Sequence, residues 1–342
     1  MEQGETTGVI RRAPGVRVSL VVALGLIVAA LSLGALAIGP FALSPAETLV
    51  ALFGGGEQQA QVVVQNIRLP RVAAALLVGA ALAAAGASYQ TLFRNPLVSP
   101  DILGVSAGAG LGAVIGIFLS LPVAFIQLFA FAGGLVAVVL VTVVASAVRN
   151  TDRILALVLT GVVIGALAGA ATSLLKVLAD PYDQLPAITF WLLGSLASVT
   201  TADILPALPA VLIGLVPLVL LRWRINVLSL GDDEARALGV EAGRVRFIVI
   251  AAATLITASV TALAGVVGWV GLVIPHIARM IVGPSFARLL PVSAIIGAGY
   301  LLVVDTLART IGAVEIPLGI LTAVIGAPFF IWLLASGRRG WA

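Results

Sequence analysis

Few side chains in this sequence could do covalent chemistry. There is one histidine, His276, beside Pro275, and there is no cysteine. Without Cys there is no disulfide, thiolate metal site or thiol nucleophile. Neither a Ser-His-Asp set nor an HExxH metal motif can be built around this His. His276 is therefore read as a residue that shapes its loop. The chain also lacks a GxxxxGK[ST] phosphate loop, so it does not bind ATP in that manner itself. Its Gly-x-Gly pairs sit in apolar runs, not after a strand. Asp305 is the clearest ionisable residue deep in an apolar run, with Arg309 one helical turn later. Such a charge is a functional candidate by default; the alternative is a structural pair near one surface. No catalytic residue, metal ligand or cofactor site is assigned.

The elements that position these residues follow from composition. Of 342 residues, 61% are hydrophobic and 10% charged, whereas soluble domains average roughly 25% charged. The natural solvent of such a chain is lipid. There, backbone groups must pair internally, which leaves helices or a closed barrel. Barrels show alternating segments of about ten residues. The apolar runs here are long and unbroken, as in Ser19 to Ile38 and Phe247 to Ala264, and they select helices. The basic residues lie at the ends of these runs rather than on one face, which argues against nucleic acid. Arg11, Arg12 and Arg17 precede the first run as in a signal peptide. That run of about 20 residues exceeds a signal core, so it is read as a retained helix.

Ten segments are expected, near 18–39, 68–92, 101–119, 123–148, 153–178, 201–221, 244–266, 271–282, 288–310 and 316–336. Phe190 to Val199 is too short to span and is read as re-entrant or interfacial. The expected organisation is an all-α polytopic protein. It has one transmembrane domain over 18–336 and tails at 1–17 and 337–342. With both termini cytoplasmic, the alternation puts fifteen of the nineteen Lys and Arg on the cytoplasmic side, as the positive-inside rule requires. The four left outside are Arg68, Arg71, Lys176 and Arg309, and interface anchoring is the simplest reading for them.

Small residues recur with helical spacing. Gly104, Gly108, Gly112 and Gly116 mark one helix face, and Gly161, Gly165, Gly169 and Ser173 another. Both suit tight helix packing; a smooth wall for a passing solute is a compatible second use. The longest cytoplasmic stretch, about 225–246, contains Gly231-Asp-Asp-Glu-Ala-Arg-Ala-Leu-Gly239. It reads as a short helix capped by Asp232, with Asp233 and Glu234 in the first turn and Gly239 just past the end. Such a helix is either a connector or a docking element.

Several stretches, in order, carry a family resemblance. They are Ile67-Arg-Leu-Pro-Arg71, Gln90-Thr-Leu-Phe-Arg-Asn-Pro-Leu97, Leu103-Gly-Val-Ser-Ala-Gly-Ala109, Phe190-Trp-Leu-Leu-Gly-Ser-Leu196, Ala237-Leu-Gly-Val240, Gly268-Trp-Val-Gly-Leu-Val-Ile-Pro-His-Ile-Ala-Arg279 and Leu318-Gly-Ile-Leu-Thr-Ala-Val-Ile-Gly-Ala-Pro328. With them the chain resembles the permease subunits of type II (FecCD-type) ABC importers, which take up iron–siderophores, haem and cobalamin. The resemblance implies ten spans per subunit and a homodimer with the path between its copies. The fifth span, with Gly161, Gly165, Gly169 and Ser173, would be a principal wall. It implies two copies of a cytoplasmic ATPase, coupled through Asp232, Asp233, Glu234, Ala237, Leu238 and Gly239. It also implies a periplasmic or lipid-anchored binding protein docking on Arg68, Arg71 and Arg309. Lys176 has no match, and Asn150-Thr-Asp-Arg153 aligns only loosely with the family's gate loop.

The function expected is that of a non-enzymatic transport subunit in the bacterial inner membrane. It would move a bulky metal chelate, ferric siderophore or haem, inward, with ATP hydrolysed by a separate subunit. Cobalamin or a molybdate-type oxyanion is the alternative cargo. An ion-coupled secondary carrier is the more distant rival, and scarce intramembrane charge speaks against it.

Overall fold

Helices close all their backbone hydrogen bonds within one segment, so an apolar chain in lipid builds from them. The computed structural model describes residues 18–148 and 152–335, and its regular structure is entirely helical. The tails expected at 1–17 and 337–342, and Asn150 and Thr151 of the loosely aligned loop, lie outside the described residues. The order begins with α1 (Val18–Ala37), α2 (Pro45–Leu52) and α3 (Gln58–Gln61), which runs through a π-helical stretch, Val62–Arg68, into α4 (Leu69–Leu92). A 3-10 turn, Pro100–Leu103, precedes α5 (Val105–Phe118), α6 (Val123–Ala147) and α7 (Arg153–Leu178). Then come α8 (Gln184–Leu193), α9 (Thr201–Leu220), α10 (Arg222–Leu228) and α11 (Asp232–Ala237). The chain closes with α12 (Ala242–Ala264), α13 (Val270–Val282), α14 (Phe286–Ala308) and α15 (Leu318–Ala335).

Each of the ten expected segments holds a helix. Seven described helices are long and apolar enough to cross a membrane; those at α5, α13 and α15 are shorter, as is α8. The stretch read as re-entrant or interfacial, Phe190 to Val199, overlaps a short helix rather than coinciding with one. Its helical part starts earlier, at Gln184, and ends at Leu193, and residues 194–199 are not helical. Gly194 stops it with a positive φ of 73°.

The core is built around α4 and α12. In each, 78% of the most apolar window is buried, against 28% for α7 and 11% for α1. Small side chains let neighbouring helices approach closely. The alanine run Ala81 to Ala87, interrupted by Leu82 and Gly86, supplies that in α4 and is buried throughout. Without a hydrophobic force between helices in lipid, close packing must hold them.

The first glycine stripe does this between α5 and α6. A Cβ on Gly112 would sit 2.0 Å from the Phe129 carbonyl oxygen, and one on Gly108 2.5 Å from that of Gly133. Gly116 faces Ile126. Gly104 departs from the expected stripe: it lies outside the helix, in the left-handed conformation that starts α5. The second stripe behaves differently. Gly161 packs on the Ile102 carbonyl, Gly165 is barely touched, and Gly169 meets nothing within 4 Å.

Irregular backbone at membrane depth is tolerated only where the protein pairs it. The break between α12 and α13 meets the end of α8 and the start of α15. The Ser195 amide donates to the Ala264 carbonyl, and the Leu318 amide to that of Gly194, both at 2.9 Å. A Cβ on Gly265 would lie 2.3 Å from the Trp191 carbonyl oxygen, so no larger residue fits this crossing.

These contacts give opposite expectations for the two stripes. Gly112→Ala should push α5 off α6 and cost about 1–3 kcal/mol, since the neighbour is backbone and cannot swing away. Gly169→Ala should leave stability unchanged or raise it slightly through helix propensity. Thermal unfolding in detergent checks both; equal effects would contradict this packing.

Candidate functional site

Arg71 is the second residue after Leu69 in α4, and α14 and the turn before α15 bring acids to both edges of its guanidinium. Nε donates to Asp305 Oδ1 and Oδ2 at 3.0 Å each, and Nη2 donates to Oδ1 at 2.8 Å. On the other edge, Nη1 and Nη2 donate to Glu315 Oε2 and Oε1 at 2.9 and 2.8 Å. A planar fork that can meet two carboxylates is the particular use of Arg. The Ser195 hydroxyl donates to Glu315 Oε1 at 3.2 Å, which ties in the segment after α8. Asp305 is fully buried, and the Arg71 side chain is 9% exposed. One guanidinium thus joins α4, α14 and the α14–α15 turn, and through Glu315 the segment after α8.

The neighbouring arginines serve α1. A helix leaves its last carbonyls without partners and with partial negative charge. Arg68 Nη1 donates to the Leu36 and Ala37 carbonyls at 2.8 and 3.0 Å, and Nη2 donates to that of Phe41. Arg309 Nη2 donates to the Ala35 carbonyl at 2.5 Å. Its Nε lies 3.9 Å from Asp305 Oδ2, too far for a hydrogen bond. The sequence pairs Asp305 with Arg309 by spacing; the structure makes Arg71 its principal partner.

Arg68, Arg71 and Arg309 were expected to present charge outward to a partner protein. In this structure all three side chains are buried and turned toward internal acceptors. Bringing the charges to the surface would leave Asp305 without its counter-charge in a low-dielectric setting. Glu315 and Ser195 were missed by the sequence reading. A signal existed, since Glu315 is an acid at the end where the four outlying basic residues gather. Lys176, on the last turn of α7, stays outside the cluster.

Beside this cluster, α2 forms a short cap on the chain. Its start carries a capping box: the Glu47 amide donates to Ser44 Oγ, and the Ser44 amide donates to Glu47 Oε2 at 2.7 Å. The Ser44 amide, and then its hydroxyl, holds the exposed Glu47 carboxyl below the usual carboxylate range.

The opposite end carries α11. Its N-cap is Gly231 rather than the expected Asp232, and no side chain caps it. Asp232 is drawn away to Arg246, whose Nη2 donates to both carboxylate oxygens at 2.9 and 3.2 Å. Asp233 pairs at the exposed surface with Arg236. The C-terminus matches expectation. Gly239 adopts a positive φ of 74°; its amide donates to Arg236 and the Val240 amide to Ala235, at 2.9 and 2.8 Å. That is a Schellman end. It leaves Ala237, Leu238 and Gly239 exposed as a small knob, with Leu238 54% accessible.

Removing one partner from a buried ion pair strands the other charge. Arg71→Ala should therefore destabilise by about 3–5 kcal/mol, and Glu315→Gln, at the more exposed edge, by less. A double-mutant cycle over Arg71 and Asp305, read by thermal unfolding in detergent, should show strong coupling. Additive effects would place the stabilisation elsewhere.

Comparison with known proteins fits this architecture. Residues 25–336 match the FecCD transport family. A probable iron chelatin transport system permease protein of Helicobacter pylori is 42% identical over 277 residues, covering 81% of this chain and 83% of its own. The molybdate import system permease protein MolB of Haemophilus influenzae is also 42% identical, over 82% of this chain and 83% of its own. An inward-facing structure of a metal-chelate type ABC transporter superposes with a TM-score of 0.85 at 36% identity, covering 93% of this chain and 99% of that one. The chain, with its many apolar helices, is a multi-pass membrane protein and a member of the FecCD transport family.

Proposed function

We propose that this chain is the membrane-spanning permease subunit of an ATP-driven importer that carries a bulky metal chelate, ferric siderophore or haem, into the cell. The observation that carries the reading is α7. The chain belongs to a family of transport permeases, and Gly165, Gly169 and Ser173 of α7 form an open, small-residue face with no ligand chemistry of its own. Such a face suits a wall that lets a large solute slide past without holding it. A second copy of the chain would close the path on the other side, so the working unit is a homodimer.

The sequence has no phosphate loop, so energy enters from a separate ATPase. The α11 end of the molecule is basic, and the positive-inside rule supports a cytoplasmic reading of that end and of both chain termini. The knob Ala237-Leu238-Gly239, held rigid by its Schellman end and the Asp232–Arg246 pair, offers a firm lever for an ATPase groove. Asp233 and Glu234 add exposed acid to the same helix. At the other end, a substrate-binding protein would dock on the surface shaped by the Arg71 cluster. In this view Arg68, Arg71 and Arg309 keep that surface in shape rather than offering their own charge.

Relatives equally similar to this chain are named for iron chelatin and for molybdate. Selectivity therefore resides in the binding protein, with cobalamin or an oxyanion as the alternative cargo. Reconstitution in liposomes with the ATPase and binding protein should give ATP-dependent uptake of a ferric siderophore or haem. No ATP-dependent uptake of any tested chelate would reject the reading. Uptake by the chain alone on an ion gradient would favour the secondary-carrier alternative.

Leu238→Glu should detach the ATPase, because a charge would be forced into an apolar contact. The chain itself should stay folded, since Leu238 is exposed. Co-purification measures this; an intact complex would move the coupling contact off α11.

A further inference from the structure

A cavity of about 380 Å3 lies between α6, α7 and α12 at the basic end of the bundle. Its walls are apolar, with Val138, Val139, Val143, Leu157, Phe247 and Ile250 among them. Val139, Val143 and Phe247 are 60%, 59% and 63% exposed, so the cavity opens on the flank of the bundle. The volume falls within the range of roughly 300–1,000 Å3 typical of small-ligand sites.

One end of the cavity is built differently. Arg246 lines it and is only 6% exposed. Its Nη2 is taken by Asp232, but its Nε is buried with no acceptor at all. A buried guanidinium nitrogen without a partner is costly, and none of the described residues supplies the missing oxygen. One turn earlier α12 begins. Its N-cap, Glu241, makes no side-chain cap, so its first-turn amides are left without a side-chain acceptor. Gly243, in that turn, also lines the cavity. An uncapped helix start attracts anions. Two independent features thus call for an anion at one end of a slot that is otherwise apolar.

The occupant must carry an anionic oxygen group on an apolar chain and must be able to enter from the side of the bundle. We propose that this groove holds an anionic phospholipid, with its phosphate at Arg246 and the start of α12 and an acyl chain along Val139, Val143 and Phe247. A free phosphate would meet the donors but leave the walls empty. A second copy of the chain would cover the walls but, with an apolar α6 flank, would bring no anion. Basic pockets between spanning helices on the cytoplasmic side are suited to anionic headgroups. The same guanidinium holds Asp232 at the start of α11, so lipid occupancy would steady that helix. The lipid site stands or falls independently of which cargo the protein carries.

The full chain, purified with its co-purifying subunits in mild detergent, can be given phosphatidylglycerol or phosphatidylcholine of matched acyl chains. Native mass spectrometry should show phosphatidylglycerol retained about fivefold better, the preference expected from one arginine at a membrane surface. Val139→Trp, at an exposed wall position, should fill the groove and abolish retention without lowering the unfolding temperature. Arg246→Gln should erase the preference between headgroups; because it also breaks the Asp232 pair, Val139→Trp is the decisive variant. Equal retention of the two lipids by the unaltered chain would overturn the proposal. So would full retention by Val139→Trp, or a change in its oligomeric state without lipid loss, which would make the groove a surface between protein chains.

Discussion

In hydrocarbon a polar group has only the protein to bond to, and each group left unpaired costs several kcal/mol. Several non-standard features of this chain answer to that constraint. Where α12 breaks before α13, the freed backbone is paired by the end of α8 and the start of α15. Where α1 ends, two arginines, Arg68 just before α4 and Arg309 just past α14, take its last carbonyls. Where Asp305 is buried, Arg71 meets it with both edges of its fork occupied. These charged groups gather at the ends of helices, where several segments can share one donor.

The same constraint separates the two ends of the molecule. At the Arg71 end, buried charge locks α4 and α14 and, through their partners, α1, the segment after α8 and the turn before α15. The lock is internal and stiff. At the α11 end, the charges are mostly exposed, and one buried arginine links α12 to the short helix. One end is thus stiffly tied and the other lightly tied. The sparsely covered α7 lies outside both sets of ties.

Packing without water explains the two glycine stripes and why they differ. Between α5 and α6 the stripe is consumed by backbone contact. On α7 only Gly161 is used, against the Ile102 carbonyl, while Gly169 remains free. An identical four-residue spacing therefore serves packing in one helix and leaves an open face in the other. Spacing shows that a face is small; it does not show what the face meets.

The sequence by itself determined the helices. Apolar run length sets where a span can lie, and charge sets its polarity, so segment positions and the Gly239 helix end were legible from local chemistry alone. The family was legible too, because its motifs are contiguous. Tertiary structure alone decided the pairing of the charges. Arg71 and Asp305 are 234 residues apart, and nothing in the spacing favours that partner over Arg309 at i+4. Asp232 looked like a cap because sequence sees its neighbours, whereas Arg246, a turn into the next helix, competes for it and wins. Arg68, Arg71 and Arg309 looked outward-facing because their helix ends are at the surface. A long side chain can turn back from that end, and in lipid the unpaired carbonyls and carboxylates inside the bundle give it reason to do so.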